Sequence, residues 1–291
     1  MYLKKALWSD SSPEADTPSP VFEPIKSLDR QRLYRELTLA IRAGLREARA
    51  EFSFLRIRGL RSLLKFLQSV AQSEDTIDLF CHSQSIPKLQ VVPVLFQHSL
   101  KEAEELLATD LNHIFTVEPM KTASPATDAE VSLALRVLEG CCLLHRDSTN
   151  LARQHNAVTV LMDILATRGV LEQGACLDAL IATMLDSCSN QMDFEICNGI
   201  EEVAHLIRDK QTEENLRLKC GEFLLLLFGH ANVREKPSMM TIHEDVRRLL
   251  GEKSASLTWV ATQLGSTLNH EQRLTTLHFQ ARKLLDSIDL Y

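Results

Sequence analysis

Apolar residues recur every three or four positions through most of this chain, which is the spacing of one face of an α-helix. In the first such segment the apolar positions are Leu33, Leu37, Ile41, Leu45 and Ala48. Similar stripes follow at 60–71, 74–84 and 87–112, where Pro87 occupies a first-turn position. With 10 Gly, 9 Pro and 5% aromatic residues, the chain has few turn formers and few side chains that suit a pleated surface. The pattern therefore predicts an all-α fold.

The middle of the chain repeats its apolar pattern after about 42 residues. The first copy contains Leu135, Leu138, Cys142 and Leu143, then Asn156-Ala157-Val158, then Leu161, Ile164 and Leu165. The second contains Leu177, Leu180, Met184 and Leu185, then Asn198-Gly199-Ile200, then Val203, Leu206 and Ile207, and a third begins with Cys220, Phe223, Leu224 and Leu227. A period of 40–47 residues is typical of armadillo and HEAT repeats. We therefore expect an armadillo/HEAT-like helical repeat solenoid, with Leu180, Leu185, Phe223 and Leu227 between stacked repeats.

Two local signals refine this solenoid. Thr127-x-x-Glu130 has the spacing of a capping box, which predicts a helix start at this point. Gly199 follows Asn198 where the chain enters the next helix, and we expect this glycine to permit the sharp turn.

The chain divides into three predicted regions. Residues 1–26 lack an apolar period and are rich in Ser and Pro, so we interpret them as a disordered tail whose three Ser/Thr-Pro pairs are either kinase sites or an unmodified linker. Residues 27–235 form the predicted repeat domain. Residues 236–291 form a predicted helical extension, in which a capping role for Leu274, Leu277, Ala281, Leu284 and Ile288 is favoured over dimerisation.

Charge and cysteine content narrow the class of protein. The net charge is −7, yet residues 26–65 carry eleven basic and four acidic residues, so a basic strip stands on an acidic body. A pI near 5.8 argues against a dedicated nucleic-acid binder.

The longest strongly apolar run, at 223–228, is much shorter than the roughly 20 residues of a membrane span. Seven cysteines without a disulfide spacing, and no secretory signal, predict reduced thiols in the cytosol or nucleus.

Candidate catalytic patterns fail on spacing. His145-Arg146-Asp147 resembles the kinase triplet, but Ala152 stands where the metal-binding Asn should be, and no Asp-Phe-Gly follows. No cysteine has an arginine six positions later, which excludes the phosphate-binding loop of cysteine phosphatases. Cys142 and His145 alone do not make a zinc site, and nucleotide-binding glycine motifs are absent. We expect no enzyme activity, no cofactor and no metal.

Four segments carry a family resemblance: residues 143–148 (Leu-Leu-His-Arg-Asp-Ser), 173–180 (Gln-Gly-Ala-Cys-Leu-Asp-Ala-Leu), 185–187 (Leu-Asp-Ser) and 216–224 (Leu-Arg-Leu-Lys-Cys-Gly-Glu-Phe-Leu). In order and spacing they resemble the cell division control protein 14 family of the septation initiation network, over roughly residues 30–235. This is a different family from the dual-specificity phosphatase that shares its name. The resemblance implies a non-catalytic armadillo-like subunit that partners a germinal-centre-type Ser/Thr kinase in a Hippo-like cascade controlling cytokinesis. It also implies spindle-pole or nuclear association as an alternative to a purely cytoplasmic location.

The partner surface is predicted from the charges that remain after the core is assigned. We take 156–166 and 198–208 as the third helices of their units, which would line the concave face. Their outward polar residues include Asp163, Glu201, Glu202, His205 and Arg208. A basic face on the first helix, with Arg35, Arg42, Arg46, Arg49 and Arg56, would meet an acidic part of the partner. These residues are either a kinase-binding surface or ordinary solvated positions. For the basic strip, pairing with acidic neighbours inside the chain and contact with nucleic acid or a membrane also stay open. The alternative function is a general armadillo-like adaptor for peptides or ubiquitin-ligase partners.

Overall fold

A computed structural model describes residues 22–100, 124–185, 187–232, 239–257 and 270–289 of the chain. Within these ranges the backbone is helical apart from connecting turns, and no strand occurs, so the all-α prediction is confirmed. The helices are α1 (Phe22–Ala48), α2 (Ser53–Val70), α3 (Glu74–Gln84), α4 (Val92–His98), α5 (Asp128–Leu144), α6 (Asp147–Gln154), α7 (Ala157–Thr167), α8 (Val170–Met184), α9 (Cys188–Ile196), α10 (Gly199–Arg208), α11 (Glu214–Asn232), α12 (Met239–Leu250) and α13 (His270–Asp289). A 3₁₀ turn spans Pro87–Leu89.

The long helices form one continuous stack. Helices α2, α5, α8, α11 and α13 pack on one another in that order. The shorter helix α7 packs on α8, and the shorter helix α10 packs on α11. Helix α9 contacts both α7 and α10. Each of the units α6–α7–α8 and α9–α10–α11 thus contains two short helices and one long one, and neighbouring units bury their apolar faces against each other. This is the helical-repeat solenoid that the period predicts.

Most of the repeated apolar positions lie in the core. The buried members include Leu135, Leu138, Cys142, Leu161, Leu165, Leu177, Leu180, Met184, Val203, Ile207, Cys220, Phe223, Leu224 and Leu227. Leu206 is only partly buried against the core, and two further predicted core positions are wrong. Leu143 is 58% exposed, because the residue after Cys142 points about a quarter turn away from the stripe. Leu185 is only half-buried, because it follows the last residue of α8 with ψ 126° and leaves the helix.

The N-terminal end of the junction between α2 and α5 is polar, whereas further along it Leu67 of α2 packs against Gly140 of α5. Arg56 is buried and its Nε donates to Glu130 Oε1 at 2.7 Å, while Ser53 Oγ donates to Glu130 Oε2 at 2.6 Å. The expected place of Arg56 on the exposed basic face is therefore wrong: a turn separates α1 from α2 and changes the direction of the chain. Only half of the capping box forms. Thr127 Oγ1 accepts the Glu130 N–H at 3.4 Å, but the Glu130 side chain turns inward to Arg56.

The two equivalent turns before α7 and α10 depend on asparagine. Asn156 and Asn198 have φ of 53° and 54°, and these are the non-glycine residues with positive φ in the described ranges. Asparagine tolerates this left-handed conformation better than most residues. Gly199 has a different role from the one expected, because a Cβ there would lie 2.1 Å from the Phe194 ring. Close packing, and not the turn, requires glycine at this position.

Several predicted boundaries change. Helix α1 begins at Phe22 and not near Ser27. Pro87 opens a 3₁₀ turn and not a helix, because the buried Gln84 amide donates to the Leu89 carbonyl and accepts the Val91 N–H. The expectations for residues 1–21, 101–123 and 258–269 lie outside the described residues. The division into tail, repeat domain and extension stays a prediction.

The last helix uses its apolar stripe inside the chain. Ala281, Leu284 and Leu285 are buried, and α13 packs on α11, where Gly221 faces Ala281 and Leu284. At its edge, His278 Nδ1 lies 3.0 Å from Glu222 Oε1.

Candidate protein-binding surface

An acidic groove runs between α7 and α10. It has a volume of about 380 Å³ and brings together Asp163 from α7 with Glu201 and Glu202 from the first turn of α10. The remaining lining residues are Met162, Ala166, Cys197 and Asn198. None of the three carboxylates forms a hydrogen bond or an ion pair with another described residue. The groove therefore presents three uncompensated negative charges on a fixed helical framework.

A second groove of about 600 Å³ adjoins the first, and Cys197 lines both. Across it, Arg153 Nε donates to Asp193 Oδ2 at 2.8 Å, and this hydrogen bond raises the pKa of the Arg153 guanidinium. Its other polar lining residues are Asn150, Gln154, Asn156 and Thr159. Ile196, on its edge, is 75% exposed. The second groove is thus largely neutral, with amide side chains and one exposed aliphatic residue.

The other predicted residues do not join these grooves. His205 and Arg208 are exposed one to two turns further along α10, and Arg208 Nη1 donates to the Leu249 carbonyl at 3.4 Å. Arg42, Arg46 and Arg49 belong to a separate surface at the end of α1, which packs on α2, α3 and α4. The predicted set therefore divides into an acidic groove, an α10 edge and a basic face.

The basic face is electrostatically open toward solvent. Arg42, Arg46 and Arg49 are exposed, and no described carboxylate lies within ion-pair distance of them. Two acidic residues of α1 are engaged by other arginines: Glu47 with Arg58 of α2 at 2.9 Å, and Glu36 with Arg32 at 3.1 Å. Intramolecular pairing, one of the open interpretations of the basic strip, does not occur for these three arginines within the described chain.

The unit order corrects the role given to α7 and α10. Each is the second helix of its three-helix unit, and the long helices α8 and α11 are the third. The spacing of the repeat is the same in both assignments, so the sequence period alone did not distinguish them. The expected concave position of the acidic groove therefore no longer follows from its place in the unit.

Buried cysteines in the described chain are poor nucleophiles. Burial raises the pKa of the Cys142 and Cys220 thiols to about 12, and it also raises that of Cys141. A thiol of this kind is not a reactive thiolate at neutral pH.

His145 directly follows the last residue of α5. Its Nδ1 lies 3.0 Å from Ser148 Oγ, and burial lowers the pKa of its imidazole. Among the described residues no group of three or more His, Cys, Asp or Glu is placed to hold a metal ion. No helix in the described ranges is long and apolar enough to span a bilayer.

Sequence reasoning missed the polar contacts that join successive units. Arg153 pairs with Asp193, Asp128 with Arg168 at 3.1 Å, and Asp178 with Lys219 at 2.6 Å. The partners are 40, 40 and 41 residues apart, which is one repeat length. Opposite charges separated by one period were therefore the signal that could have identified the Arg153–Asp193 pair beside the groove.

Comparisons with known proteins identify the family. No curated protein matches this sequence. The chain is similar to an engineered protein whose crystal structure was solved by the Northeast Structural Genomics Consortium, with 12% identity and a TM-score of 0.43 over 86% of this chain and 96% of the other. The family described as cell division control protein 14, SIN component, matches residues 99–280, and so begins later and continues further than the resemblance noted in the sequence. Because this match covers more than half of the chain, the protein belongs to the cell division control protein 14 family of septation initiation network (SIN) components.

Proposed function

We propose that this protein is a non-catalytic scaffold or regulatory subunit that binds a germinal-centre-type Ser/Thr kinase in a septation-initiation-type cascade controlling cell division. Membership of the cell division control protein 14 family supports a role in the septation initiation network. The observation that supports a binding role is the groove in which Asp163, Glu201 and Glu202 meet without a described partner. A basic segment of the kinase would complement this groove.

Electrostatics determines what such a surface can do. Exposed charges mainly raise the association rate and select the partner, and salt weakens both effects. Arg42, Arg46 and Arg49 would contact a separate acidic region of the kinase. Two surfaces of opposite sign, fixed on one solenoid, would define the orientation of the partner as well as its identity.

The alternative is a general armadillo-like adaptor that binds peptides or a ubiquitin ligase. The amide-lined groove beside Arg153 favours this function, because Asn150, Gln154 and Asn156 could hydrogen-bond to an extended peptide backbone. Exposed Ile196 would then contact an apolar side chain. We also propose that the protein works in the cytoplasm, with association at the spindle pole, as SIN membership suggests, or in the nucleus.

Charge reversal tests the proposal. Asp163, Glu201 and Glu202 are changed together to Lys, and Arg42, Arg46 and Arg49 are changed to Glu in a second variant. The matched control is Glu74→Lys with Asp75→Lys and Asp78→Lys, an equally large charge change on the exposed face of α3. Each variant is purified by affinity from dividing cells after its helicity has been checked by circular dichroism.

We expect the groove variant to lose co-purifying kinase at least tenfold at low salt, and the control to retain it. Kinase that survives both surface reversals would show that the partner binds elsewhere. A ligase or transport receptor in place of the kinase would support the adaptor.

A further inference from the structure

Ser124-Pro125 is the Ser/Thr-Pro pair that falls within the described residues. It lies in the non-helical stretch 124–127, just before α5. Ser124 is half-buried and Pro125 is exposed. A residue that precedes proline favours extended backbone, which is the form that a protein kinase binds. The pair therefore has the sequence and the backbone of a proline-directed phosphorylation site.

Ser124 is also a central residue of the α2–α5 junction. Its Oγ accepts the Ser53 N–H at 2.6 Å and donates to the Glu51 carbonyl at 3.3 Å. Its own N–H donates to the same carbonyl at 3.0 Å, and its carbonyl accepts Arg56 Nη2 at 2.7 Å. Ser53 N–H belongs to the first turn of α2, whose N-cap residue Phe52 supplies no side-chain cap. Ser124 thus replaces the missing cap and connects the start of α2 to the segment before α5.

We propose that Ser124 is a phosphorylation site for a proline-directed Ser/Thr kinase, and that its phosphate opens the junction between α2 and α5. In this step Ser124 Oγ forms a bond to the γ-phosphorus of ATP. The bond from that phosphorus to the β,γ-bridging oxygen breaks, ADP leaves, and the hydroxyl proton passes to the base of the kinase. The site is independent of whether the acidic groove binds a partner.

The groups around Ser124 would not compensate the charge of a phosphate. Phosphorylation removes the hydroxyl proton that Ser124 donates to the Glu51 carbonyl, and adds a charge of about −1.5 to −2 at pH 7. Ser53 bonds Ser124 through its N–H and Glu130 through its hydroxyl, so the phosphate would stand on the other side of Ser53 from a buried carboxylate.

Arg56 cannot neutralise both groups without rearrangement. Its Nε and Nη2 already contact Glu130, and Nη1 donates to the carbonyls of Ala50 and Glu51. Competition of two anions for one guanidinium would release residues 124–127 from α2. The consequence is a less stable N-terminal junction, whereas the apolar stack from α5 to α11 is not altered.

The test uses the full chain with an active mitogen-activated protein kinase and Mg·ATP. The parent protein carries Ser12→Ala, Thr17→Ala and Ser19→Ala, so that the other three Ser/Thr-Pro sites are removed. Two variants of this parent serve as controls: Ser124→Ala removes the acceptor, and Pro125→Ala keeps the hydroxyl but removes the recognition residue. Phosphopeptide mass spectrometry locates the phosphate, and thermal unfolding is measured before and after treatment with a phosphatase.

We expect phosphate on Ser124 of the folded parent, at least tenfold less in Pro125→Ala, and a Tm lowered by roughly 3 °C or more, which the phosphatase restores. Ser124→Ala should neither incorporate phosphate at this position nor show the kinase-dependent shift. Absence of phosphate on Ser124, or incorporation only after heat denaturation, would overturn the site. Phosphorylated Ser124 with an unchanged Tm would overturn the opening of the junction.

Discussion

The solenoid joins its helices by two different chemistries. At the N-terminal ends of α2 and α5 the contact centres on the buried Arg56–Glu130 ion pair, with Ser53, Ser124 and Thr127 around it. Helices α8 and α11 pack with mainly apolar buried side chains, such as Leu180 on α8 and Phe223 on α11. The polar contact allows few relative positions of the two helices, because each hydrogen-bond donor must meet its acceptor. The apolar contact is stabilised by buried area, which many similar helix positions would provide. Hydrophobic stacking therefore supplies cohesion in the repeats, while the polar junction fixes the register of the N-terminal helices.

Loss of one partner at the polar junction should have the largest effect. Arg56→Ala leaves the Glu130 carboxylate, whose side chain is fully buried, without a cation. We expect a loss of about 3–5 kcal/mol in the free energy of unfolding, measured by urea denaturation. Arg56→Lys should recover part of this loss, since it restores the charge but not the two-pronged geometry.

A double variant sharpens the comparison. Arg56→Met with Glu130→Leu replaces the pair by apolar side chains and should be clearly more stable than Arg56→Ala alone. If the double variant is no better than the single one, the ion pair is not the source of the loss, and the hydrogen bonds from Arg56 to the carbonyls of Glu51 and Ser124 dominate.

At the apolar junction we expect a somewhat smaller effect. Leu180→Ala removes a fully buried side chain from the stack and should cost about 3 kcal/mol. The matched control is Leu185→Ala, on the same stretch but half-buried, which should cost less than about 1 kcal/mol. Equal losses at the two positions, measured by the same urea denaturation, would contradict the assignment of Leu185 to the edge of the stack.

The smallest effect concerns a carboxylate at the outer edge of the apolar stack. Burial, and secondarily Asp178, raises the pKa of Glu139, so the folded chain holds this proton more tightly than the unfolded chain. The stability that the protonated group contributes is complete below the unfolded pKa and is lost as the pH rises through the folded one. Glu139→Gln should therefore raise Tm by roughly 1–2 °C at pH 7 and leave it unchanged near pH 4. A gain that is equal at both pH values would show that ionisation of Glu139 is not its cause.

The groove residues could be predicted only in part. Asp163, Glu201 and Glu202 emerged because they are the polar positions that remain when the apolar stripes of α7 and α10 are assigned. His205 and Arg208 met the same criterion but lie further along α10, since membership of a helix face does not specify which turn borders a groove. Arg153 and Asp193 were missed because their pairing depends on the packing of two units.

The sequence by itself determined the all-α class, the repeat of about 42 residues, most of the buried positions and the family. These features are mostly periodic, and a period can be recognised in the sequence because each helix turn repeats the same local geometry. Only the tertiary structure decided which helix is the third of each unit, that Asn156 and Asn198 take the left-handed turn, and that Arg56 turns inward to Glu130. The order of the helices and the Arg56–Glu130 pair depend on contacts between residues far apart in the chain, and a single stretch of sequence does not specify which distant side chain fills a given space.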